Sequence, residues 1–196
     1  MHHILFTIGC SNRSVEDFIS LLHHHHITAL ADVRSVPYSR RNPQFNREPL
    51  KAELRSHSID YVFLGAELGA RPEDRSCYVD GKAVHAKIAG TALFKNGLER
   101  VKEGLRKGYV LSLMCAEKDP LGCHRAMLIC RNLRGREIEI RHILDAEAVE
   151  NHSDLEKRLV KELKLHPDLF SDAAPSDLIE RAYDLQSDRI AYVEEG

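Results

Sequence analysis

Short apolar runs and amphipathic stretches alternate along the first 145 residues of the chain. Five apolar runs have the length and composition of strands, and they cover positions 4–8, 28–33, 59–64, 109–115 and 137–143. Between the runs, apolar residues recur at helical spacing, as at Phe18, Ile19 and Leu22 behind the helix-capping Ser14. Helices are therefore predicted from Ser14 onward and over 48–56, 91–107 and 123–133.

This alternation predicts an α/β fold, because parallel strands need crossover helices to connect them. We expect a mostly parallel five-stranded sheet with helices on both faces, in a Rossmann-like or rhodanese-like three-layer arrangement. Residues 65–90 are rich in Gly, Pro, Arg and Asp and have no sustained period. They are predicted to form a long functional loop with about one helical turn.

After Asp145 the pattern is helical only. Two helices are defined by apolar residues at helical spacing, namely Leu155, Leu159 and Leu163 in the first and Leu178, Ala182 and Leu185 in the second. A turn-rich stretch at 171–176 separates them. We expect residues 1–196 to form a single domain, with a sheet core at 1–145 and a helical C-terminal extension at 146–196 packed on it.

Composition narrows the class of protein. With 196 residues, 43% hydrophobic and 30% charged, the chain has the balance of a globular domain. It has no run of about 20 apolar residues, and its five cysteines are an odd number in a domain too large to need disulfides. These features predict a soluble cytoplasmic protein with reduced thiols. The net charge of −2 argues against a large basic surface but leaves room for a local anion site.

Polar residues of unusual reactivity follow the predicted strands. In open α/β sheets ligands bind at the carboxyl ends of strands, so these residues are the first candidates for a site. They are Cys10, Ser11, Asn12 and Arg13 after the first strand, Arg34 and Ser35 after the second, and Cys115, Ala116 and Glu117 after the fourth.

The loop DVRSVPYSRRNPQFN adds Arg40, Arg41, Gln44 and Asn46. Arginine side chains suit phosphate or carboxylate because their planar fork donates two parallel hydrogen bonds. Exposed arginines also form surface pairs with acidic helices that stabilise little. Because several arginines crowd one loop, anion binding is the favoured interpretation.

The segment LMCAEKDPLGCHRAMLIC is the densest group of reactive side chains. One interpretation makes Cys115 or Cys123 a nucleophile, its thiolate favoured by Arg125 and His124, with Glu117 or Asp119 as acid or base. A second makes Cys115, Cys123 and His124 metal ligands, with Cys10 as a fourth. A third makes the loop a non-catalytic anion cradle around Arg125, and buried cysteines also serve in packing alone.

Several common site signatures are absent from the sequence. Arg125 lies ten positions beyond Cys115, where a CxxxxxR cradle of the phosphatase or rhodanese kind needs six. There is also no GxGxxG, no GxxxxGK and no HxE with PCxxC. These absences disfavour dinucleotide, P-loop and deaminase sites.

Four motifs in order, TIGCSNRS, DVRSVPYSRRNPQFN, LGAELGARP and LMCAEKDPLGCHR, resemble the bacterial and archaeal family called domain of unknown function 488. The resemblance extends through HILDAEAVENHSDLEKRL to AYDLQSDRIAYV. It implies a compact α/β protein with an arginine- and cysteine-containing pocket and no settled activity, and some relatives carry a DNA-repair label. The family's first motif usually reads TIGHSNR, so Cys10 stands where a histidine is usual.

Carried over by this resemblance, the matching positions are Asn12, Arg13, Asp32, Arg34, Ser35, Arg40, Pro43, Gln44, Phe45, Asn46, Glu67, Leu68, Gly69, Cys115, Glu117, Asp119, Cys123, His124 and Arg125. The leading hypothesis is a cysteine-dependent hydrolase or transferase that acts on a phosphate-bearing substrate, either a nucleotide or a nucleic-acid end. Its expected catalytic residues are Cys115, Glu117, Cys123 and His124. Its expected anion-binding residues are Asn12, Arg13, Arg34, Ser35, Arg40, Gln44, Asn46 and Arg125.

Two alternatives stay open at this point. One is a non-catalytic module that binds nucleotide or nucleic acid, with a link to DNA repair. The other is a Cys/His metal site at Cys10, Cys115, Cys123 and His124. The leading hypothesis includes no cofactor and no membrane partner.

Overall fold

Each of the five apolar runs forms a strand of one central sheet. The structure is a computed structural model that describes residues 2–166 and 175–194. The strands are β1 His3–Gly9, β2 Ala29–Asp32, β3 Asp60–Phe63, β4 Tyr78–Val79, β5 Lys82–Ala83, β6 Leu111–Cys115, β7 Ile138–Ile143 and β8 Val149–Asn151. The α-helices are α1 Val15–His24, α2 Arg47–Ser56, α3 Gly65–Leu68, α4 His85–Gly90, α5 Ala92–Arg106, α6 Arg131–Leu133, α7 His152–Glu162 and α8 Pro175–Ile190.

The central sheet has six strands in the order β3-β2-β6-β1-β7-β8. Its first five strands are parallel, as the alternating pattern predicts, and β8 pairs antiparallel with β7. The prediction of a mostly parallel α/β sheet is confirmed, while the count of five strands was one too few. Strand β8 was missed because its three residues, Val149–Asn151, contain no apolar run.

Helices cover both faces of the sheet because successive strand residues point to opposite faces. On one face, Leu5 and Leu113 pack with Phe94 and Val101 of α5. On the other, Ile8 packs with residues of α1 and α2 such as Phe18. The helix α1 begins where expected, with the Ser14 side chain accepting a hydrogen bond from the Asp17 amide.

Residues 65–90 are largely structured, which corrects the expectation of a long loop. They contain α3, a 3-10 turn at Arg75–Cys77, the two-stranded hairpin β4-β5 and α4. These elements are too short for a period to be recognised in the sequence. Cys77 and Ile88 anchor the segment in the core beneath α5.

The helix predicted at 123–133 begins differently from an ordinary α-helix. Residues Arg125–Cys130 form wide π-helical turns, which continue into α6. Such turns are rare in proteins, and those that occur are often found at functional sites. A 3-10 turn at Pro120–Gly122 precedes them.

Two helices follow β8, as expected for the C-terminal region. Leu155 and Leu159 of α7 pack with Ala182 and Tyr183 of α8 in a third apolar cluster, which also contains Met127. Most of the turn expected at 171–176 lies outside the described residues. No helix among those that the structure describes is long and apolar enough to cross a membrane.

Candidate functional site

A cavity of about 310 Å³ opens at the carboxyl end of the sheet. It lies where the chain passes from β2 toward β3 on one side and from β6 toward β7 on the other. Because these connections diverge, they leave a crevice between two neighbouring strands, which is the usual ligand position in open α/β sheets. The lining residues are Arg34, Ser35, Val36, Tyr38, Ala70, Arg71, Cys115, Ala116, Glu117, Gly122, His124, Ile190 and Tyr192.

The loop after β6 is held tightly against the end of β1. The amides of Cys10 and Ser11 donate hydrogen bonds of 2.9 and 2.8 Å to the carbonyls of Cys115 and Ala116. A Cβ on Gly9 would lie 1.9 Å from the carbonyl oxygen of Glu117. Glycine is therefore required at position 9, because only its missing side chain allows this approach.

Two thiols, an imidazole and a carboxylate meet beneath the cavity. Nδ1 of His124 lies 3.5 Å from Sγ of Cys115 and 4.0 Å from Sγ of Cys123. Sγ of Cys115 is also 3.0 Å from Oε2 of Glu117. The four residues expected to be catalytic are therefore brought together, although eight positions separate the two cysteines.

Backbone groups fix the orientation of this cluster. Nε2 of His124 donates to the carbonyl of Val33 at 3.0 Å, so Nδ1 is the nitrogen that faces the sulfurs. The amide of Arg125 donates to Sγ of Cys123 at 3.4 Å. Burial raises the pKa of Cys115 well above its ordinary value, and the neighbouring Cys123 adds to this effect.

The second thiol behaves in the opposite way. Burial opposes ionisation of Cys123, but its hydrogen bond with Cys115 and the charge of Arg125 outweigh burial, so the pKa of Cys123 lies well below its ordinary value. At His124 burial lowers the pKa of the imidazole, but the hydrogen bond with Cys123 outweighs burial and the pKa is raised. Burial, followed by the proximity of Cys123, also raises the pKa of Glu117.

Access and ionisation are divided between the two cysteines. Cys115 lines the cavity although it is only 3% exposed, whereas Cys123 is 1% exposed and is not among the lining residues. A nucleophilic cysteine needs both a lowered pKa and an open path to substrate. Here the pKa is lowered at Cys123, which does not line the cavity, and raised at Cys115, which does.

Arg34 and Ser35 reach the cavity from β2, but Arg34 is strongly restrained. Its Nε and Nη2 donate to the two carboxylate oxygens of Asp32 at 2.9 and 2.6 Å, and Nη2 also donates to the carbonyl of Phe45. The hydroxyl of Tyr61 donates to the same carboxylate at 2.8 Å. Within the described residues these bonds leave Nη1 of Arg34 for a ligand.

Arg71 is a cavity residue that the sequence analysis missed. Its guanidinium lies 4.3 Å from the centre of the Tyr192 ring, and its amide donates to Oγ of Ser35 at 3.0 Å. It comes from the segment expected to be an aperiodic loop, immediately after the LGAELGA motif. The arginine within the recognised motif LGAELGARP was the signal that could have identified it.

The structure gives Arg125 a different place from the one expected. Its guanidinium is 0% exposed and donates through Nη1 to the carbonyl of Glu117, through Nη2 to that of Lys118 and through Nε to Oγ1 of Thr7. All three nitrogens are occupied by the protein. Arg125 therefore holds the loop after β6 in place, and it is not positioned to bind an anion in the cavity.

The remaining anion candidates lie outside the cavity lining, and these are Asn12, Arg13, Arg40, Gln44 and Asn46. Nη2 of Arg13 donates to the carbonyl of Leu144, and Gln44 donates to the carbonyl of Arg13. Oδ1 of Asn46 accepts a hydrogen bond from the Ser39 amide. Arg40 is exposed. Arg34 and Ser35 are the two expected anion ligands that line the cavity.

Cys10 does not join the group of potential metal ligands. Its thiol is buried, and burial raises its pKa to about 11. Among the described residues, one group of three His, Cys, Asp or Glu side chains has its ligand atoms within 4.8 Å of one another, and it consists of Cys115, Cys123 and His124. The expected fourth position of Cys10 is thus not supported.

Other residues of the recognised motifs have structural partners. Asp119 caps the turn at Leu121 and pairs with Arg158 at 2.8 Å, and Glu67 pairs with Arg100. Phe45 is fully buried. These contacts explain the residues as parts of the scaffold rather than of the cavity.

Comparison with known proteins adds a family but no activity. A family model described as "Domain of unknown function DUF488" matches residues 14–131, which is more than half of the chain. No curated protein and no solved structure matches the chain.

Proposed function

Because the chain belongs to the family described as Domain of unknown function DUF488, a description that names no reaction, we propose its function from the geometry of the cavity: an enzyme that acts on a phosphate-bearing substrate, either a nucleotide or a nucleic-acid end. The observation that carries this proposal is that two arginines and a Cys/His/Glu cluster line one cavity. The arginines would bind the anion beside the groups that react.

Arg71 is the main anion ligand in this proposal. It is exposed at the cavity, and its contact with Tyr192 is a cation–π stack that does not consume its hydrogen-bond donors. Nη1 of Arg34 supplies a second donor, held in place by the bonds of Nε and Nη2. A phosphate in the cavity would be bound by both guanidinium groups.

An exposed aromatic ring at the rim favours a nucleotide over a bare anion. Tyr38 is 51% exposed and lines the cavity, whereas the half-buried ring of Tyr192 is covered by Arg71. Exposed aromatic rings beside arginines bind nucleobases by stacking. Since the net charge of the chain is −2, binding is expected to depend on this local site rather than on a basic surface.

Glu117 is the proposed acid or base. Its carboxylate lines the cavity and contacts Cys115, so it can take or give a proton beside the bound substrate. A non-catalytic binding module would have no need of this cluster. The enzyme is therefore preferred over the module.

Binding is tested by calorimetric titration of nucleoside 5′-monophosphates and a 5′-phosphorylated oligonucleotide. Arg71→Ala is expected to weaken binding at least 10-fold, because a charge-assisted phosphate contact is removed. Arg41→Ala is the matched control, since Arg41 is exposed but does not line the cavity. Equal affinities for both variants would contradict the proposed cavity.

Turnover is tested with the ligand that binds best, by chromatography of the products. Glu117→Gln should retain binding and lose at least 100-fold in rate, as is usual for loss of a general acid or base. Lys118→Gln, at the exposed neighbouring position, should keep the rate. Binding without any turnover by the unaltered protein would identify the non-catalytic module instead.

A further inference from the structure

The cluster beneath the cavity has the composition and spacing of a metal site. We propose that Cys115, Cys123 and His124 bind a zinc ion, with one coordination position open to the cavity. The binding of the ion is inferred from the geometry alone. The role of the ion in catalysis rests on the proposed function.

Distances between the ligand atoms carry the first step. With Zn–S bonds of about 2.3 Å and Zn–N bonds of about 2.0–2.1 Å, a sulfur and a nitrogen at tetrahedral positions lie about 3.5 Å apart. In the structure the Nδ1 atom of His124 is 3.5 Å from one sulfur and 4.0 Å from the other. All three ligand atoms lie within 4.8 Å of one another. A single ion therefore fits among them with small side-chain adjustments.

The environment of His124 provides an independent second step. A metal-bound histidine usually donates its other ring N–H to a carbonyl or carboxylate, which fixes the free lone pair toward the metal. Nε2 of His124 makes such a bond to the carbonyl of Val33 at 3.0 Å. The lone pair of Nδ1 is thereby aimed at the two sulfurs.

A backbone amide supports one of the two sulfurs. The amide of Arg125 donates to Sγ of Cys123, and hydrogen bonds of this kind support metal-bound ligands. Two thiolates would balance the charge of a divalent ion. The donor set of two sulfurs and one imidazole nitrogen selects zinc over magnesium or calcium, which prefer oxygen.

Three protein ligands with an open position are typical of catalytic rather than structural zinc. Cys115, His124 and Glu117 all face the cavity, so the open position would receive a water molecule there. A zinc ion held there would supply Lewis-acid chemistry, and Glu117 would accept a proton in the cavity that Arg71 also lines. The two cysteines are then ligands, so Cys123 needs no path to the substrate and need not line the cavity.

The inference is tested by titrating metal-free protein with Co²⁺, which replaces zinc and reports thiolate ligation by a charge-transfer band in the near ultraviolet. One equivalent is expected to produce the band, and zinc is expected to abolish it. Cys115→Ser and Cys123→Ser should each remove about half of its intensity and weaken binding more than 10-fold. Cys10→Ser is the matched control and should retain the full band, since Cys10 lies outside the ligand group.

A second measurement covers variants that fail to fold. In the unaltered protein, alkylation followed by mass spectrometry should show Cys115 and Cys123 protected by zinc, whereas Cys77 in the core beneath α5 should react equally with and without it. Absence of the band, equal alkylation of Cys115 and Cys123 with and without zinc, or loss of the band in Cys10→Ser would overturn the assignment.

The two proposals fail separately. Cobalt binding is measured without nucleotide, and the Arg71 comparison is repeated with a chelator. Arg71-dependent nucleotide binding without a cobalt band would overturn the metal site alone. A cobalt band without nucleotide binding would overturn the proposed function alone.

Discussion

His85 is a buried histidine whose replacement by leucine should stabilise the protein. It begins α4 and is 5% exposed, and neither of its ring nitrogens has a hydrogen-bond partner among the described residues. Burial, followed by the charges of His124 and Arg131, lowers its pKa from 6.5 to about 4. His85 is therefore neutral in the folded protein at pH 7, and it carries an unsatisfied polar ring.

The magnitude follows from these values. A difference between 6.5 and about 4 corresponds to about 3 kcal/mol at 1.36 kcal/mol per pH unit. The folded-state pKa is lowered, so the unfolded chain binds the proton first as the pH falls. Stability is retained above pH 6.5, declines between 6.5 and 4, and by pH 5 about 2 kcal/mol of it is lost through this residue.

His85→Leu removes both effects. At pH 7 we expect a gain of about 1–3 kcal/mol in the free energy of unfolding, because an apolar side chain of similar size leaves no unpaired polar atom. Between pH 7 and 5 the variant should lose about 2 kcal/mol less than the unaltered protein. Part of the acid sensitivity should persist, since burial also lowers the pKa of His142 and of His152.

Urea unfolding at pH 7, 6 and 5 measures these differences. His24→Leu is the matched control, because His24 is exposed and its replacement should change stability by less than about 0.5 kcal/mol. A destabilised His85→Leu with an unchanged pH dependence would refute the reasoning. It would mean that His85 is charged or hydrogen-bonded in the folded protein.

Two further substitutions test how the loop after β6 is held. Gly9→Ala should lower the free energy of unfolding by about 2 kcal/mol or more and displace Glu117, because the added Cβ meets the carbonyl oxygen of Glu117. Its control is Gly104→Ala in α5, where the added Cβ has its nearest contact at 3.7 Å and should raise the free energy of unfolding by about 0.5–1 kcal/mol. Arg125→Met should cost about 2–4 kcal/mol, because buried loop carbonyls lose their donors, whereas Arg106→Met on the exposed face of α5 should cost less than about 1 kcal/mol. Urea unfolding measures all four, and a tolerated Gly9→Ala or Arg125→Met would contradict this role of the loop.

The strands of the central sheet could be predicted because each is an apolar run between polar turns. Their order could not, since β6 lies between β2 and β1 although β3, β4 and β5 come between β2 and β6 in the sequence. Only tertiary packing determines that β6 lies between these two strands. The crevice between β2 and β6, which positions the cavity, follows from the order and not from any local pattern.

The catalytic candidates were predictable for a similar reason. Cys115 ends a buried strand that Glu117 follows, and Cys123 and His124 directly precede the π-helical turns, so the ends of both elements bring them together. The direction of a long side chain was not predictable. Arg125 immediately follows His124, yet its guanidinium points to the loop carbonyls rather than the cavity.

Arg34 shows the same limit in a milder form. Its position after β2 was correctly associated with the site, but Asp32 binds two of its nitrogens. Arg71 was missed because α3 and the turn behind it are too short to show a period. For both residues, the sequence predicts the position of the backbone near a site more reliably than the direction of the charged side chain.

In the proposed function, one cavity holds both the phosphate and the reacting cluster. The most direct test is a crystal structure of the protein grown with zinc and adenosine 5′-monophosphate, with anomalous differences recorded at the zinc edge. We expect the phosphate between Arg71 and Nη1 of Arg34, and a zinc peak bounded by Cys115, Cys123 and His124. A nucleotide bound elsewhere on the surface, with the cavity free of phosphate, would contradict the account.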